Sequence, residues 1–150
     1  MGEISQLVDG LFSKDNKYAY DCLKKLKLES ENSNKVYFYF DKFVELLNDS
    51  NSYKRNRAFE LISSNAKWDI DYKIDEIIDE YLKHILDEKP ISFRQCIKSL
   101  SVIGMYKKDL VDDIIYCLKS ANISIYKESM GNLIQKDIKN TLNILENLEK

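Results

Sequence analysis

Proline and glycine are scarce in this chain of 150 residues, which contains one Pro and four Gly. Sandwiches and barrels need turn residues every few positions, so this scarcity argues against an all-β fold and favours helices. Apolar residues make up 44% of the chain, which is enough to form a hydrophobic core and argues against disorder. The length fits one domain. We therefore expect a single all-α domain over residues 1–150.

An excess of one charge is also lacking, because 23 Lys and Arg face 25 Asp and Glu for a formal net charge of −2. Nucleic-acid-binding surfaces normally carry a basic excess, so a nucleic-acid partner is not expected. The longest unbroken apolar run, residues 36–40, is far shorter than the roughly 20 residues of a membrane span. The N-terminus carries Glu3 and Asp9 where a signal peptide would be basic. These features predict a cytoplasmic protein without membrane attachment.

Residues that ligate metals or serve as nucleophiles are few. Cys22, Cys96 and Cys117 form no CxxC pair, and His84 is the only histidine. Neither a disulfide framework nor a zinc or iron–sulfur site is indicated. Because no catalytic constellation can be assembled either, we expect a protein that is not an enzyme and uses no cofactor or metal.

One apolar template recurs along the chain, with large apolar residues at positions i, i+3, i+4 and i+7, which line one face of an α-helix. Its copies begin at Ile4, Phe40, Ile74, Val111 and Ile138. Between them lies a second pattern, in which a small residue precedes a large apolar residue and another apolar residue stands four positions after the small one. The small residues are Cys22, Ala58, Cys96 and Ser129. Small side chains at a repeated position permit close helix packing, so both cysteines are interpreted as substitutes for alanine.

The two patterns predict a first helix at residues 3–13 followed by four helical hairpins. The hairpins pair 15–28 with 34–48, 52–65 with 72–86, 91–104 with 109–120, and 124–135 with 137–149. Polar residues that can cap a first helical turn precede the apolar runs at Asp15 or Ser13, Ser33, Ser52, Asp71, Asp109 and Ser124. The strand-like residues 36–40 continue the helical count and are therefore predicted to be helical.

Three segments carry a family resemblance: residues 51–59 (NSYKRNRAF), 66–69 (AKWD) and 87–96 (DEKPISFRQC). They resemble small bacterial HEAT-like proteins, some of which are labelled SufBD proteins. Two-helix units of about 33–38 residues are typical of α-solenoids, and the repeat resembles HEAT and armadillo repeats in a short form. The resemblance spans nearly the whole chain. It implies a right-handed α-α superhelix of about four hairpins plus an N-terminal helix, without an established activity.

Charge alternates along the two central hairpins. Counting Lys and Arg against Asp and Glu gives about +3 for residues 51–68, −5 for 69–89, +4 for 90–108 and −3 for 109–118. First helices are thus basic and second helices acidic.

Second helices generally line the concave side of such solenoids, so their carboxylates are expected to form an acidic strip there. The acidic strip consists of Asp75, Glu76, Asp79, Glu80, Asp112 and Asp113. The first helices supply a secondary basic patch of Arg55, Arg57 and Arg94. The alternative interpretation is structural, with carboxylates that complement helix dipoles and arginines that pair with acids of adjacent repeats.

Two functional hypotheses follow. The leading one is a noncatalytic interaction module or scaffold that binds a protein or peptide, a basic one if the acidic strip is used. The alternative is a divergent relative of HEAT-like DNA alkylation-repair glycosylases, for which Trp68, Asp69 and the basic patch supply the residue types. That alternative lacks the positive excess that phosphate binding needs. A structural role for Trp68, as a packing anchor at a hairpin corner, is the competing interpretation.

Overall fold

The computed structural model describes residues 2–148 of the chain. These residues contain eight α-helices and no β-strand, which confirms the expected all-α class for this part of the chain. The helices are α1 Gly2–Gly10, α2 Asn16–Asn32, α3 Phe40–Leu47, α4 Ser52–Ser64, α5 Lys73–Leu82, α6 Pro90–Tyr106, α7 Val111–Ser120 and α8 Glu128–Leu148. Short 3-10 turns occupy Val36–Tyr39, Ala66–Trp68, Lys108–Leu110 and Ile123–Ile125. None of these helices has both the length and the apolar character needed to cross a bilayer.

The chain forms two compact units, Met1–Ile74 and Asp75–Lys150. In the first unit, α2 packs against α1 and α4, and α4 packs against α3. In the second unit, α8 packs along α6 and also contacts α7. Each unit therefore contains two helices of the small-residue pattern that pack against each other, α2 with α4 and α6 with α8. A helix of the first apolar template, α3 or α7, packs against the second of them. A single repeat domain and its superhelical arrangement remain predictions.

The small-residue positions of the first three hairpins lie inside helix contacts. Cys22, Ala58 and Cys96 are at most 2% exposed, which agrees with their interpretation as packing residues. A Cβ atom at Gly10 of α1 would lie 2.5 Å from the sulfur of Cys22, so these two helices approach closely. Burial, followed by the charge of Asp87, raises the pKa of the Cys96 thiol far above its ordinary range. Neither cysteine is placed to act as a nucleophile.

Helix α8 corrects the prediction of a fourth hairpin. Residues 124–135 and 137–149 were expected as separate helices, but Glu128–Leu148 is one continuous helix. The polar residues Lys136 and Asp137 do not form a loop, because the Asp137 carboxylate is held by Arg94 of α6 with Nε at 2.6 Å. The expected small position, Ser129, is exposed, and Gly131 is the buried small residue of this helix.

Several helix boundaries also differ from the predictions: α2 continues to Asn32, α3 begins at Phe40, and both ends of α5 are shifted. The carboxylate of Asp69, rather than that of Asp71, accepts hydrogen bonds from the first backbone N–H groups of α5. At its other end, α5 stops at Leu82 instead of continuing to residue 86, and Leu86 has a φ of 73° that an α-helix does not accommodate. The predicted cap at Asp15 is confirmed, since its side chain accepts from two N–H groups of α2 at 3.1 and 3.2 Å.

Candidate functional site

Helix α5 carries four of the acidic-strip residues, and Asp69 anchors the start of this helix. Its carboxylate accepts from the backbone N–H groups of Lys73 and Ile74, both at 2.9 Å, and from the phenol of Tyr37 at 2.7 Å. Tyr37 is buried, and burial followed by its hydrogen bonds to the nearby carboxylates raises the pKa of its phenol well above the usual range. The first turn of α5 is therefore fixed by a buried polar cluster of the first unit.

Asp75, in that first turn, contacts the corner between α6 and α7. The ammonium nitrogen of Lys107 lies 2.6 Å from its Oδ1, and the Lys107 side chain is only 6% exposed. Burial alone would raise the pKa of Asp75, but hydrogen bonds with Asp109 and Lys107 outweigh burial and lower this pKa. The hydrogen bond to Asp75, together with burial, raises the pKa of Asp109. Asp75 thus keeps its negative charge, and Asp109 takes up the proton when the pair binds one.

The thiol of Cys117, farther along α7, interacts electrostatically with carboxylates of both acidic helices. Burial raises its pKa, and the negative charges of Asp113 and Asp79 raise it further. Asp113 lies one turn before Cys117 on α7, whereas Asp79 lies on α5. Asp79 and Asp113 are 34 positions apart, as are Asp75 and Asp109. This offset matches the repeat period of about 33–38 residues, which predicts that equivalent positions of α5 and α7 lie near each other.

The acidic strip contains both exposed and half-buried residues. Asp75 and Glu80 are half-buried. The carboxylates that face solvent are those of Glu76, Asp79, Asp112 and Asp113. No basic side chain between residues 2 and 148 forms an ion pair with these four groups. Tyr116, one turn after Asp112, is 73% exposed. The strip therefore combines four unpaired negative charges with an exposed aromatic ring, a composition that attracts cationic groups.

The arginines of the first unit do not form the expected basic patch. Arg55 and Arg57 are each only 5% exposed. One guanidinium nitrogen of Arg55 donates to the carbonyl oxygens of residues 49 and 50 at 3.2 and 2.9 Å. Arg57 donates to the carbonyl of Leu11 at 2.7 Å and to the side chain of Asn16 at 2.8 Å. These guanidinium groups satisfy buried backbone and side-chain oxygens, which corrects the interpretation of an exposed cationic surface.

The third member of the predicted patch, Arg94, lies in the second unit and binds Asp137 of α8 through two hydrogen bonds at 2.6 and 3.4 Å. This pair joins α6 to α8. The structural alternative, in which an arginine pairs with an acid of a neighbouring helix, describes Arg94 correctly.

Trp68 acts as a packing anchor at the corner between α4 and α5. Its indole nitrogen donates to the carbonyl oxygen of Ser30 at 2.7 Å, near the C-terminus of α2. The corner is thereby attached to the end of α2, which agrees with the structural interpretation of this residue.

His84 is less exposed than expected. It follows the end of α5, its side chain is 15% exposed, and its Nδ1 atom lies 3.1 Å from the carboxylate of Asp87. Among residues 2–148, no group of three His, Cys, Asp or Glu residues is arranged to hold a metal ion.

Sequence patterns did not identify Lys107 and Asp109 as part of the acidic site. Asp109 was expected only as a helix-start residue, although its offset of 34 positions from Asp75 was a usable signal. Lys107 had no such signal, because its role depends on a corner of the chain that only tertiary structure defines. Comparison with protein-family models, with curated proteins and with solved structures finds no match for this chain.

Proposed function

We propose that this protein is a noncatalytic docking module that binds a basic segment of a partner protein along α5 and α7. The observation that carries this proposal is the group of four exposed carboxylates on the two acidic helices, Glu76, Asp79, Asp112 and Asp113. Asp75 hydrogen-bonds with Asp109, and the charges of Asp113 and Asp79 both act on the Cys117 thiol. Lys107 offsets the charge of Asp75, but no basic side chain among residues 2–148 pairs with Asp79 or Asp113, so the repulsion between these exposed acids is a cost to folding. A cationic ligand would relieve that repulsion.

The spacing expected for adjacent helices suggests the form of the ligand. Packed helices lie about 8–10 Å apart, and an extended chain advances about 3.3 Å per residue. A peptide that crosses the strip therefore reaches α5 and α7 with basic residues three positions apart. The exposed ring of Tyr116 adds a surface on which an arginine or lysine of the partner can stack.

The glycosylase alternative receives less support. Its residue types included Arg55, Arg57 and Trp68, and the polar groups of all three are used for hydrogen bonds within the first unit. Without exposed arginines there, the phosphate contacts that dominate DNA affinity have no evident source in this unit. We therefore favour docking of a basic protein segment.

Charge reversal tests this proposal. Glu76, Asp79, Asp112 and Asp113 are changed together to Lys, while Asp75 is retained because it partners buried Lys107. The matched control reverses four other exposed acids: Asp9, Glu31, Asp41 and Glu88. The probes are fluorescent peptides with Lys or Arg at every third position, and their binding is followed by fluorescence anisotropy at two salt concentrations.

We expect the wild type and the control to bind these peptides more tightly at low salt, and the strip variant to lose binding at least tenfold. Equal binding by the strip and control variants would contradict the proposal. A duplex DNA probe provides the comparison with the alternative, since tight binding of DNA at low salt would favour a glycosylase relative.

A further inference from the structure

An apolar groove of about 630 Å³ borders α1 in the first unit. The first two turns of α1, the second half of α2 and the turn Val36–Tyr39 enclose it. Leu28 and Phe38 in this groove are 63% and 73% exposed. Exposed apolar surface edged by charged residues is typical of a docking site.

The repeat explains why this surface is open. Ile4 and Leu7 of α1 occupy the first and second positions of the recurring apolar template and are half-buried. Their equivalents are Phe40 and Phe43 in α3, and Val111 and Ile114 in α7, all at most 2% exposed. Helix α7 packs against its chain neighbours α6 and α8, and α3 packs against α4 and contacts the turn Val36–Tyr39, which itself contacts α2. Helix α1 packs chiefly against α2, so the element that would cover its other side is a helix.

The covering helix should carry the small-residue pattern, because helices of that type pack against the template helices. In α2, α4 and α6 this pattern is buried, with Cys22, Ala58 and Cys96 at most 2% exposed. Helix α8 is different. Ser129 is exposed, Met130 is half-buried, and Leu133 is 43% exposed. The chain thus has one exposed copy of the small-residue pattern, on α8. It also has one template helix, α1, whose second side no such helix covers.

We propose that α8 of one molecule docks in the α1 groove of a second copy, so that the chain associates head to tail. Charges at the two surfaces are compatible with this contact. The groove is rimmed by Lys25, Lys35, Glu3 and Glu29, and Ser129 and Leu133 are flanked by Glu128 and Lys136. A long-chain anion or an anionic membrane would instead meet the two glutamates. The contact is heterologous, because the two surfaces differ, and it shares no residue with the acidic strip.

Two single-surface variants test the proposal. Phe38→Ser removes an exposed ring from the groove and leaves α8 intact, whereas Leu133→Gln alters α8 and leaves the groove intact. Both side chains are exposed, so neither change removes a core residue. Tyr53→Ser is the matched control, since Tyr53 is 58% exposed and lies in α4 outside both surfaces. Circular dichroism verifies the fold of each variant, and sedimentation velocity from about 10 to 300 μM measures association.

The wild type and the Tyr53→Ser control should exceed the monomer mass of 17.6 kDa as concentration rises, while each single-surface variant alone should remain monomeric. An equimolar mixture of the two variants should form a dimer and nothing larger, because each molecule then offers one intact surface. A wild type that is monomeric throughout, or a mixture that fails to dimerise, would overturn the proposal. Loss of association in Phe38→Ser but not in Leu133→Gln would also overturn it, because the groove would then pair with another groove.

Discussion

The phenol of Tyr37 connects the turn before α3 to the segment that begins α5. It donates to Asp69 at 2.7 Å and also lies 3.0 Å from the carboxylate of Asp71. Asp69 is 7% exposed, and a buried carboxylate without hydrogen-bond donors is costly. At the scale of single residues, this contact is among the buried polar features that no periodic pattern reveals.

Substitution of Tyr37 by Phe should destabilise the protein by about 1–3 kcal/mol, because a buried carboxylate then loses a hydrogen-bond donor. Urea unfolding measures the change. Tyr20→Phe is the control, since Tyr20 is 55% exposed, and it should alter stability by less than about 0.5 kcal/mol. Equal stability of the two variants would show that the Tyr37 phenol does not support the Asp69 cluster.

The Asp75–Asp109 pair predicts a pH-dependent effect of substitution. The pKa of Asp109 is raised in the folded state, so its contribution to stability is present below its unfolded pKa of about 3.9 and is lost as the pH rises through the folded pKa. Asp109→Asn retains a hydrogen-bond donor at every pH. The variant should therefore match the wild type near pH 3.5 and be more stable by about 0.3–1 kcal/mol at pH 7, a small gain because Asp109 is exposed.

Urea unfolding at both pH values tests this expectation. Asp112→Asn serves as the comparison, because Asp112 lies in the first turn of α7 and complements the helix dipole. It should lower stability slightly at pH 7. If Asp109→Asn were less stable than the wild type at pH 7, the shared proton would not describe this pair.

At the scale of helices, apolar periodicity predicted the approximate positions of α1 to α7, but it divided α8 into two helices. The break predicted between residues 135 and 137 followed from the repeat patterns, whereas the structure has one helix there, with Asp137 paired to Arg94. The expected basic patch failed for a similar reason. The carbonyl oxygens that bind Arg55 and Arg57 come from turns whose positions sequence spacing does not define.

The continuity of α8 has a direct test. Lys136→Pro should cost about 3 kcal/mol or more, because proline removes a helical hydrogen bond and clashes with the preceding turn. Lys136 is exposed, so Lys136→Ala is a suitable control and should change stability by less than about 0.5 kcal/mol. Urea unfolding and helical circular dichroism report the result. A proline variant as stable as the alanine variant would indicate a hinge at this position.

At the scale of the whole molecule, the repeat connects the sequence to the proposed site. Two-helix units of about 33–38 residues predict that equivalent positions of successive hairpins are neighbours. The contacts of Asp75 with Asp109, and of Asp79 and Asp113 with Cys117, follow this rule in the second unit. Sequence alone could predict which carboxylates share a face, but not that Asp75 would be neutralised by Lys107 while its neighbours remain exposed.

The central claim is that α5 and α7 bring their carboxylates together, and the Cys117 thiol measures this directly. Its pKa is obtained from the pH dependence of alkylation at Cys117, followed by mass spectrometry, and compared between Asp79→Asn and the same-helix control Glu76→Gln. We expect Asp79→Asn to lower the thiol pKa, because the substitution removes one of the negative charges that raise it, and Glu76→Gln to leave it nearly unchanged. An unchanged Cys117 pKa in Asp79→Asn would contradict the alignment of the two helices and the docking function that depends on it.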